Sequence, residues 1–376
     1  MKAFVTGATG LLGNNLVRAL RAQGHAVRAL ARSEARAQEL LAGTGADLVS
    51  GDMEDVAGFA GALAGCDVVF HTAAYFREYY TAGDHRPKLE SVNVHGTVAI
   101  AEAAYARGVR RMVHTSSAAI VGLRPDRGAG DESTPPPRIA AENLYLKSKV
   151  MAAERLTALT GRVPLDVVQV LPGWMFGPWD AAPTSSGRFV LDFLARALPA
   201  IPPGGMNAVD ARDVALGMIR AAGRGSPGSM YILGGPFTTL AGVADTLAQV
   251  TGLPAPAWRM PYVVARAYAT ASEALARITH GDTLVTVAAV RLMRAELRAS
   301  SNKALRELRW RYRPLIDTLR DEVDWYRTHG RQRGLYGETD DSDAHDHGGG
   351  AGRARVREVP AVPGGGEPGR RVPASS

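Results

Sequence analysis

A single cysteine, Cys66, stands among 376 residues, so no disulfide can form within the chain and stability must come from packing. Long hydrophobic runs are also missing. The most apolar stretch, Val263 to Ile278, is interrupted by Arg266, Glu273 and Arg277, and it falls short of the roughly 18 uninterrupted apolar residues that a membrane span needs. It reads as an amphipathic helix. The first residues, Met1-Lys2-Ala3-Phe4-Val5, resemble a strand and carry no charged-then-apolar signal pattern, so the expected compartment is the cytoplasm. Basic residues do not cluster either: the net charge is +7, but Arg107, Arg110 and Arg111 bracket a turn instead of forming a stripe, which argues against a nucleic-acid partner. His345 and His347 lie in an acidic stretch without pre-organised ligands, so no metal is expected.

The chain is 46% hydrophobic and 22% charged, enough to build a large core. Short β-branched runs alternate with Ala-rich helical stretches. Ala3 to Thr6, Ala26 to Leu30, Asp47 to Val49, Asp67 to His71, Arg111 to Thr115 and Leu165 to Leu171 read as strands, and repeated strand–helix–strand units imply an α/β fold with a doubly wound parallel Rossmann sheet. Residues 1–171 are expected to form a dinucleotide-binding domain. Residues 172–330 are expected to form mainly a smaller substrate-binding lobe, with some segments returning to the first core; its helical patterning covers Leu240 to Thr251, Tyr262 to Ile278 and Asn302 to Tyr326. Residues 335–376, with glycine triplets at 348–350 and 364–366, have almost nothing to bury and are expected to be a disordered tail.

The first strand runs directly into Thr6-Gly7-Ala8-Thr9-Gly10-Leu11-Leu12-Gly13 and then a helical stretch. Gly7 permits a tight turn, Gly10 lets the backbone approach a pyrophosphate, and Gly13 allows close packing of helix on strand. The helix amino end then offers free N–H groups to the anion. After the second strand the sequence is Ala31-Arg32-Ser33, where a carboxylate would suit a free ribose 2′-hydroxyl. A guanidinium suits a 2′-phosphate, so NADP(H) is favoured over NAD(H).

Tyr145 and Lys149 stand four residues apart, on one face of a helix, where an ammonium favours the phenolate and suits the tyrosine for proton exchange. Upstream, Ser116 and Ser117 follow the strand Arg111 to Thr115, and hydroxyls at the carboxyl end of a parallel strand face the ligand crevice. Cys66 precedes the strand Asp67 to His71 and His71 ends it, so packing explains both.

The glycine turn, the serine strand end and the Tyr/Lys helix, in that order, resemble the extended short-chain dehydrogenase/reductases of the NAD-dependent epimerase/dehydratase family over residues 1 to about 330. The resemblance implies that Ser117, Tyr145 and Lys149 are catalytic. Tyr145 would be the general acid or base, Lys149 would hold the ribose and tune the tyrosine, and Ser117 would bond the reacting oxygen. Gly7, Thr9, Gly10, Leu11, Leu12, Gly13, Arg32, Asp52, Met53, Thr72, Ala73, Ala74 and Pro172, with Tyr145 and Lys149, would line the dinucleotide. Asn93 resembles a structural polar residue of the family. Many members pair through helices beside the Tyr/Lys motif, so a homodimer is an expectation.

Sugar-nucleotide 4,6-dehydratases of this family carry an Asp-Glu pair where this chain has Ala118-Ala119, so water elimination lacks its acid and base. An Arg-x-x-Asn-x-Tyr-Gly-Pro stretch found in sugar-nucleotide enzymes is here Leu171-Pro172-Gly173-Trp174-Met175-Phe176-Gly177-Pro178, which points to a more apolar pocket. The placement of Pro172, Arg32 and the run Val69-Phe70-His71-Thr72-Ala73-Ala74 resemble the dihydroflavonol-4-reductase branch, which implies reduction of a ketone or aldehyde to an alcohol. Tyr231-Ile232-Leu233-Gly234-Gly235 and other stretches resemble hopanoid-associated sugar epimerases, so an epimerase is the alternative, with a non-catalytic dinucleotide sensor a third. Tyr75, Trp174 and Trp179 are candidate substrate contacts, with Phe76, Tyr79, Tyr80, Arg77 and Arg188 as further candidates.

Overall fold

The computed structural model describes residues 1–76, 84–279 and 286–330. Arg77, Tyr79, Tyr80, His345, His347 and the expected tail lie outside the described residues. β1 (Lys2–Thr6), β2 (Ala26–Ala31), β3 (Asp47–Ser50), β4 (Val68–His71), β5 (Arg111–Thr115), β6 (Asp166–Pro172) and β9 (Met230–Leu233) form one parallel sheet in the order β3-β2-β1-β4-β5-β6-β9. The order runs outward in both directions from β1, which is the doubly wound arrangement the sequence implied. β4 and most of β1 and β5 are buried on both faces, as strands covered on both sides must be.

One face is covered by α1 (Leu11–Ala22) and α9 (Ala211–Arg224), where Leu16, Val17, Leu20, Val214 and Met218 pack on Val5, Phe70 and Val113. The helices α2 (Glu34–Leu40), α3 (Val56–Phe59), the short α4 (Arg86–Lys88), α5 (Gly96–Ala106), α6 (Arg138–Glu142) and α7 (Leu144–Thr160) fall between the earlier strands. On the second face Ile100 and Ala104 of α5 and Leu156 and Leu159 of α7 close over Phe4, Val69, Met112 and Val167.

A second sheet was not legible in the sequence. β7 (Trp174–Phe176) pairs in parallel with β8 (Gly205–Asp210), and β8 pairs antiparallel with β10 (Phe237–Thr239). Around it lie α8 (Ser185–Leu194), α10 (Leu240–Thr251), α11 (Tyr262–Thr279), α12 (Val287–Arg294), α13 (Asn302–Glu307) and α14 (Leu315–Trp325). The single helix expected from Asn302 to Tyr326 is therefore two helices. Pro314 disfavours helical geometry at Arg313, Arg309 takes φ +51°, and the intervening segment is anchored sideways. Trp310, 1% exposed, donates its indole N–H to the Asp213 carbonyl at 2.7 Å, and the Arg313 guanidinium pairs with the Asp213 carboxylate at 2.7 Å.

Between the second sheet and α14 lie two fully buried acids. Asp180 accepts hydrogen bonds from the Thr184 amide (2.8 Å) and hydroxyl (2.7 Å), and Glu322 accepts one from the Gly177 amide at 2.8 Å. Burial pushes Asp180 up to about 6, against those hydrogen bonds. Burial and then the charge of Asp180 hold Glu322 well above the usual carboxylate range. A carboxyl whose native pKa is raised binds its proton more tightly folded than unfolded, so its contribution to stability falls as pH rises from the ordinary value of 3.8 to about 6. Asp180→Asn should therefore melt close to the parent at about pH 4 and above it at about pH 7.5, where the parent holds a buried charge. Thermal melts at the two pH values check this; a parent more stable than the variant at the higher pH would refute it.

Candidate active site

Because β1 to β6 are parallel, their carboxyl ends share one edge, and the chain segments singled out in the sequence converge there. Gly7, with φ +67°, turns the chain so closely under β4 that a Cβ on it would lie 2.7 Å from the Ala73 amide nitrogen. The turn is tied to the segment after β4: the Thr72 hydroxyl donates to the Thr6 carbonyl at 2.7 Å, and the Ala73 amide to the Thr6 hydroxyl at 3.2 Å. A Cβ on Gly13 would come within 2.1 Å of the Gly7 carbonyl oxygen, so that glycine lets α1 pack against the turn. Gly10 differs, since the nearest neighbour of a Cβ there is 3.5 Å away. Gly10 is the N-cap of α1, without side-chain capping and with no acid in the first turn. Thr9, Leu11 and Leu12 complete an amino end whose first turn carries neither a side-chain cap nor an acid.

Arg32 is exposed immediately after β2 and forms no ion pair with any described residue. Asp52 and Met53 follow β3; the Asp52 carboxylate caps the Glu54 amide at 3.1 Å, and Met53 is 6% exposed in the core. The uncapped amino end of α1 and the segments after β2 and β3 could together hold a dinucleotide.

Asn143 caps α7 by accepting from the Leu146 amide at 3.0 Å, which fixes the start of the helix two residues before Tyr145. Lys149 lies one turn on, 3% exposed, with Nζ 5.7 Å from the Tyr145 ring centroid, and it donates to the Thr115 carbonyl at the end of β5 at 2.9 Å. Ser117 is two residues further along the chain; its hydroxyl accepts from the Ala119 amide at 3.2 Å and opens a 3-10 turn over Ala118–Ile120. Tyr145, Lys149 and Ser117 are thus brought to the same strand end. Ser116 is buried and its hydroxyl has no partner among the described residues.

Behind the pair runs a polar row that the sequence reading did not assemble. Thr6, His71, His114 and Gln169 are register neighbours on four adjacent strands, all buried. His71 bonds Thr6 through Nδ1 (2.7 Å) and Thr97 through Nε2 (3.0 Å); the Thr97 hydroxyl donates to the Asn93 carbonyl, Asn93 donates to the Ser148 hydroxyl, and that hydroxyl donates to the Tyr145 carbonyl. The chain of contacts therefore joins the phosphate turn to the Tyr/Lys helix. Asn93 also clamps the Tyr75 backbone at both N–H (2.7 Å) and C=O (2.9 Å). His71 is pushed down to about 3, and the stacked His114 well below its ordinary value, by burial first and then by the Lys149 ammonium. Both rings are neutral at physiological pH. The legible signal was polar residues inside strands buried on both faces, which need partners. Cys66 is buried, and desolvation raises its thiol pKa.

Tyr75 follows Ala74, and its hydroxyl meets His85 Nδ1 at 2.8 Å. Pro172 ends β6 beside Leu233. Trp174, 8% exposed, packs edge-on to Phe176 with centroids 4.5 Å apart, and Trp179 lies under the Arg18 guanidinium at 3.4 Å and beside Trp325. The structure thus seats both tryptophans in packing contacts, apart from the Tyr145 cluster. A surface groove of about 420 Å³ is lined by Asp213, Arg220, Trp310, Arg313 and neighbours, none of which is a candidate site residue.

Residues 3–234 match the model of the NAD dependent epimerase/dehydratase family. The chain belongs to that family. Similar proteins include a putative dihydroflavonol 4-reductase of Synechocystis sp., 36% identical over 87% of this chain and 95% of that protein, and sterol demethylase protein B of Methylococcus capsulatus, 33% identical over 88% and 99%. A 4-hydroxy-2-methyl-3-oxo-4-farnesyl-3,4-dihydroquinoline-1-oxide ketoreductase of Stigmatella aurantiaca is 33% identical over 82% and 91%. Among solved structures, gox2253 superposes with a TM-score of 0.74 at 33% identity, covering 88% of this chain and 98% of that one. The epimerase/dehydratase chain is therefore an oxidoreductase-like enzyme with the family's parallel sheet, and no helix among its described residues is long and apolar enough to cross a membrane.

Proposed function

We propose that the chain reduces a ketone or aldehyde on an apolar, ring-fused or isoprenoid substrate, using NADPH, with Tyr145 as proton donor. The observation that carries this reading is the Tyr145–Lys149 turn tied to the end of β5 beside Ser117, with the dehydratase acid and base positions occupied by buried Ala118 and Ala119. Tyr145 packs against a cluster of Ala118, Ala119, Ile120, Val121, Leu171, Leu292 and Leu297, an apolar wall that suits a hydrocarbon-rich substrate better than a charged sugar nucleotide. The names of the relatives, a dihydroflavonol reductase, a sterol-processing protein and a farnesylquinoline ketoreductase, point the same way.

In this reading residues 1–171 hold the dinucleotide and 172–330 supply most of the substrate side. The α1 amino end binds the diphosphate and Arg32 the 2′-phosphate. Bound nicotinamide supplies the hydride. Ser117 donates a hydrogen bond to the carbonyl oxygen, which favours charge developing there. Tyr145 passes its proton to that oxygen, and Lys149 stabilises the phenolate left behind and orients the ribose.

Arg32→Ala tests the cofactor assignment. Losing one charge-assisted contact of about 1.5–3 kcal/mol should weaken NADPH binding roughly tenfold to hundredfold and leave NADH binding nearly unchanged. Titration of both cofactors against both proteins measures it. Equal affinity of the parent for NADH and NADPH would overturn the assignment, and nicotinamide that copurifies and never exchanges would favour an epimerase.

A further inference from the structure

The surface groove of about 420 Å³ lies between α9 and the segment that joins α13 to α14. Its charges do not balance. Both acids that line it are engaged: the Asp213 carboxylate accepts from the Arg313 amide and from the Arg313 guanidinium, each at 2.7 Å, and Asp317 pairs with Arg320 at 2.8 Å. Arg220 and Arg311 line the same groove, are exposed, and form no ion pair with any described residue.

The backbone holds these two guanidiniums together. Arg220 donates through Nη1 to the Arg309 carbonyl, and Arg311 donates through Nη1 to the next one, the Trp310 carbonyl, at 2.7 Å. Like charges fixed on successive carbonyls repel each other, and a bound anion offsets that repulsion. The two forks also select the anion. A carboxylate has two oxygens, enough for one guanidinium, whereas a phosphate monoester has three terminal oxygens to share between two. Beside them Tyr312, 39% exposed, rests on the buried Trp310 ring with centroids 5.6 Å apart, so an aromatic surface adjoins the charges. The volume lies within the range of about 300–1,000 Å³ for small-molecule sites and leaves room for more than the anion alone.

We propose that this groove binds a phosphate monoester carried on an aromatic body, with Arg220 and Arg311 on the phosphate and Tyr312 against the body. The binding does not depend on the reductase reading, since none of these residues belongs to the candidate active site.

Phenyl phosphate, inorganic phosphate and phenol are titrated calorimetrically into the full chain, into the double variant Arg220→Gln, Arg311→Gln, and into Tyr312→Ala. The proposal expects the parent to bind phenyl phosphate more tightly than inorganic phosphate and to leave phenol unbound. The double variant should bind phenyl phosphate at least about tenfold more weakly, and Tyr312→Ala should lose the preference over inorganic phosphate. A second double variant, Arg220→Lys with Arg311→Lys, keeps both charges without the forks and should also weaken binding, by less. Melting temperatures should match the parent, because the replaced side chains are exposed. Phosphate held instead at the amino end of α1 would survive in all three variants. The proposal is overturned if the parent binds no phenyl phosphate, if the glutamine variant binds it as well as the parent, or if inorganic phosphate binds the parent as tightly.

Discussion

Tyr145→Phe should lower kcat/KM for carbonyl reduction about a thousandfold while leaving NADPH affinity and thermal stability nearly unchanged. The half-buried ring packs in an apolar cluster with Ala118, Leu146 and Leu292, and phenylalanine keeps that packing. Ser148 and Lys149 contact the helix backbone and the β5 carbonyl independently of the phenol, through Ser148 Oγ to the Tyr145 carbonyl and Lys149 Nζ to the Thr115 carbonyl. What the substitution removes is the phenol that, in the proposed mechanism, passes its proton to the product oxygen. The drop should fall on kcat more than on KM, because proton transfer belongs to the transition state and not to ground-state binding. Retention of more than about a tenth of parental turnover would show that another group supplies the proton.

The glycines of the first turn give the second large effect, and they should separate from one another. A methyl at Gly13 would stand 2.1 Å from the Gly7 carbonyl and 2.9 Å from the Ala8 Cα, both backbone atoms that cannot swing aside. Gly13→Ala must therefore push α1 off β1, although Leu12, Leu16 and Leu20 of α1 are core residues. A loss of about 2–4 kcal/mol and of measurable dinucleotide binding is expected. Gly10→Ala meets nothing closer than 3.5 Å, so it should melt like the parent yet bind dinucleotide at least about tenfold more weakly, because the methyl occupies space at the uncapped helix end. Melting curves and cofactor titrations of the two variants check this; equal destabilisation by both would mean that Gly10 serves packing alone.

The features that were legible in the sequence are local. A tight turn needs glycine at 7, close packing needs it at 13, and a helix places Tyr145 above Lys149 whatever surrounds them. The ends of β1, β4 and β5 agreed with the structure to within a residue or two because these strands are buried on both faces over most of their length and the apolar runs stop where burial stops. What escaped reading depends on distant partners. β7 and β8, and β8 and β10, pair across intervening helices and not through a local turn. The segment between α13 and α14 is helical in pattern, yet Trp310 and Arg313 are drawn to Asp213, about a hundred residues earlier in the chain. Trp174 read as a pocket aromatic because its neighbours are loop residues, whereas Phe176 and Phe189 enclose it. The polar row of Thr6, His71, His114 and Gln169 was present as four odd residues in apolar strands, and only the register aligns them.

The central claim is that nicotinamide hydride ends on the substrate carbon in a net reduction paced by Tyr145. Incubating the protein with NADPH carrying deuterium at both C4 positions and a panel of steroid, flavonoid and isoprenoid ketones tests it directly, with the alcohol products weighed by mass spectrometry. The account predicts an alcohol one mass unit heavier than that formed with unlabelled cofactor, in step with cofactor oxidation, and no such product from Tyr145→Phe. Unchanged cofactor with every ketone, together with inversion of a sugar hydroxyl by nicotinamide that never leaves the protein, would contradict it.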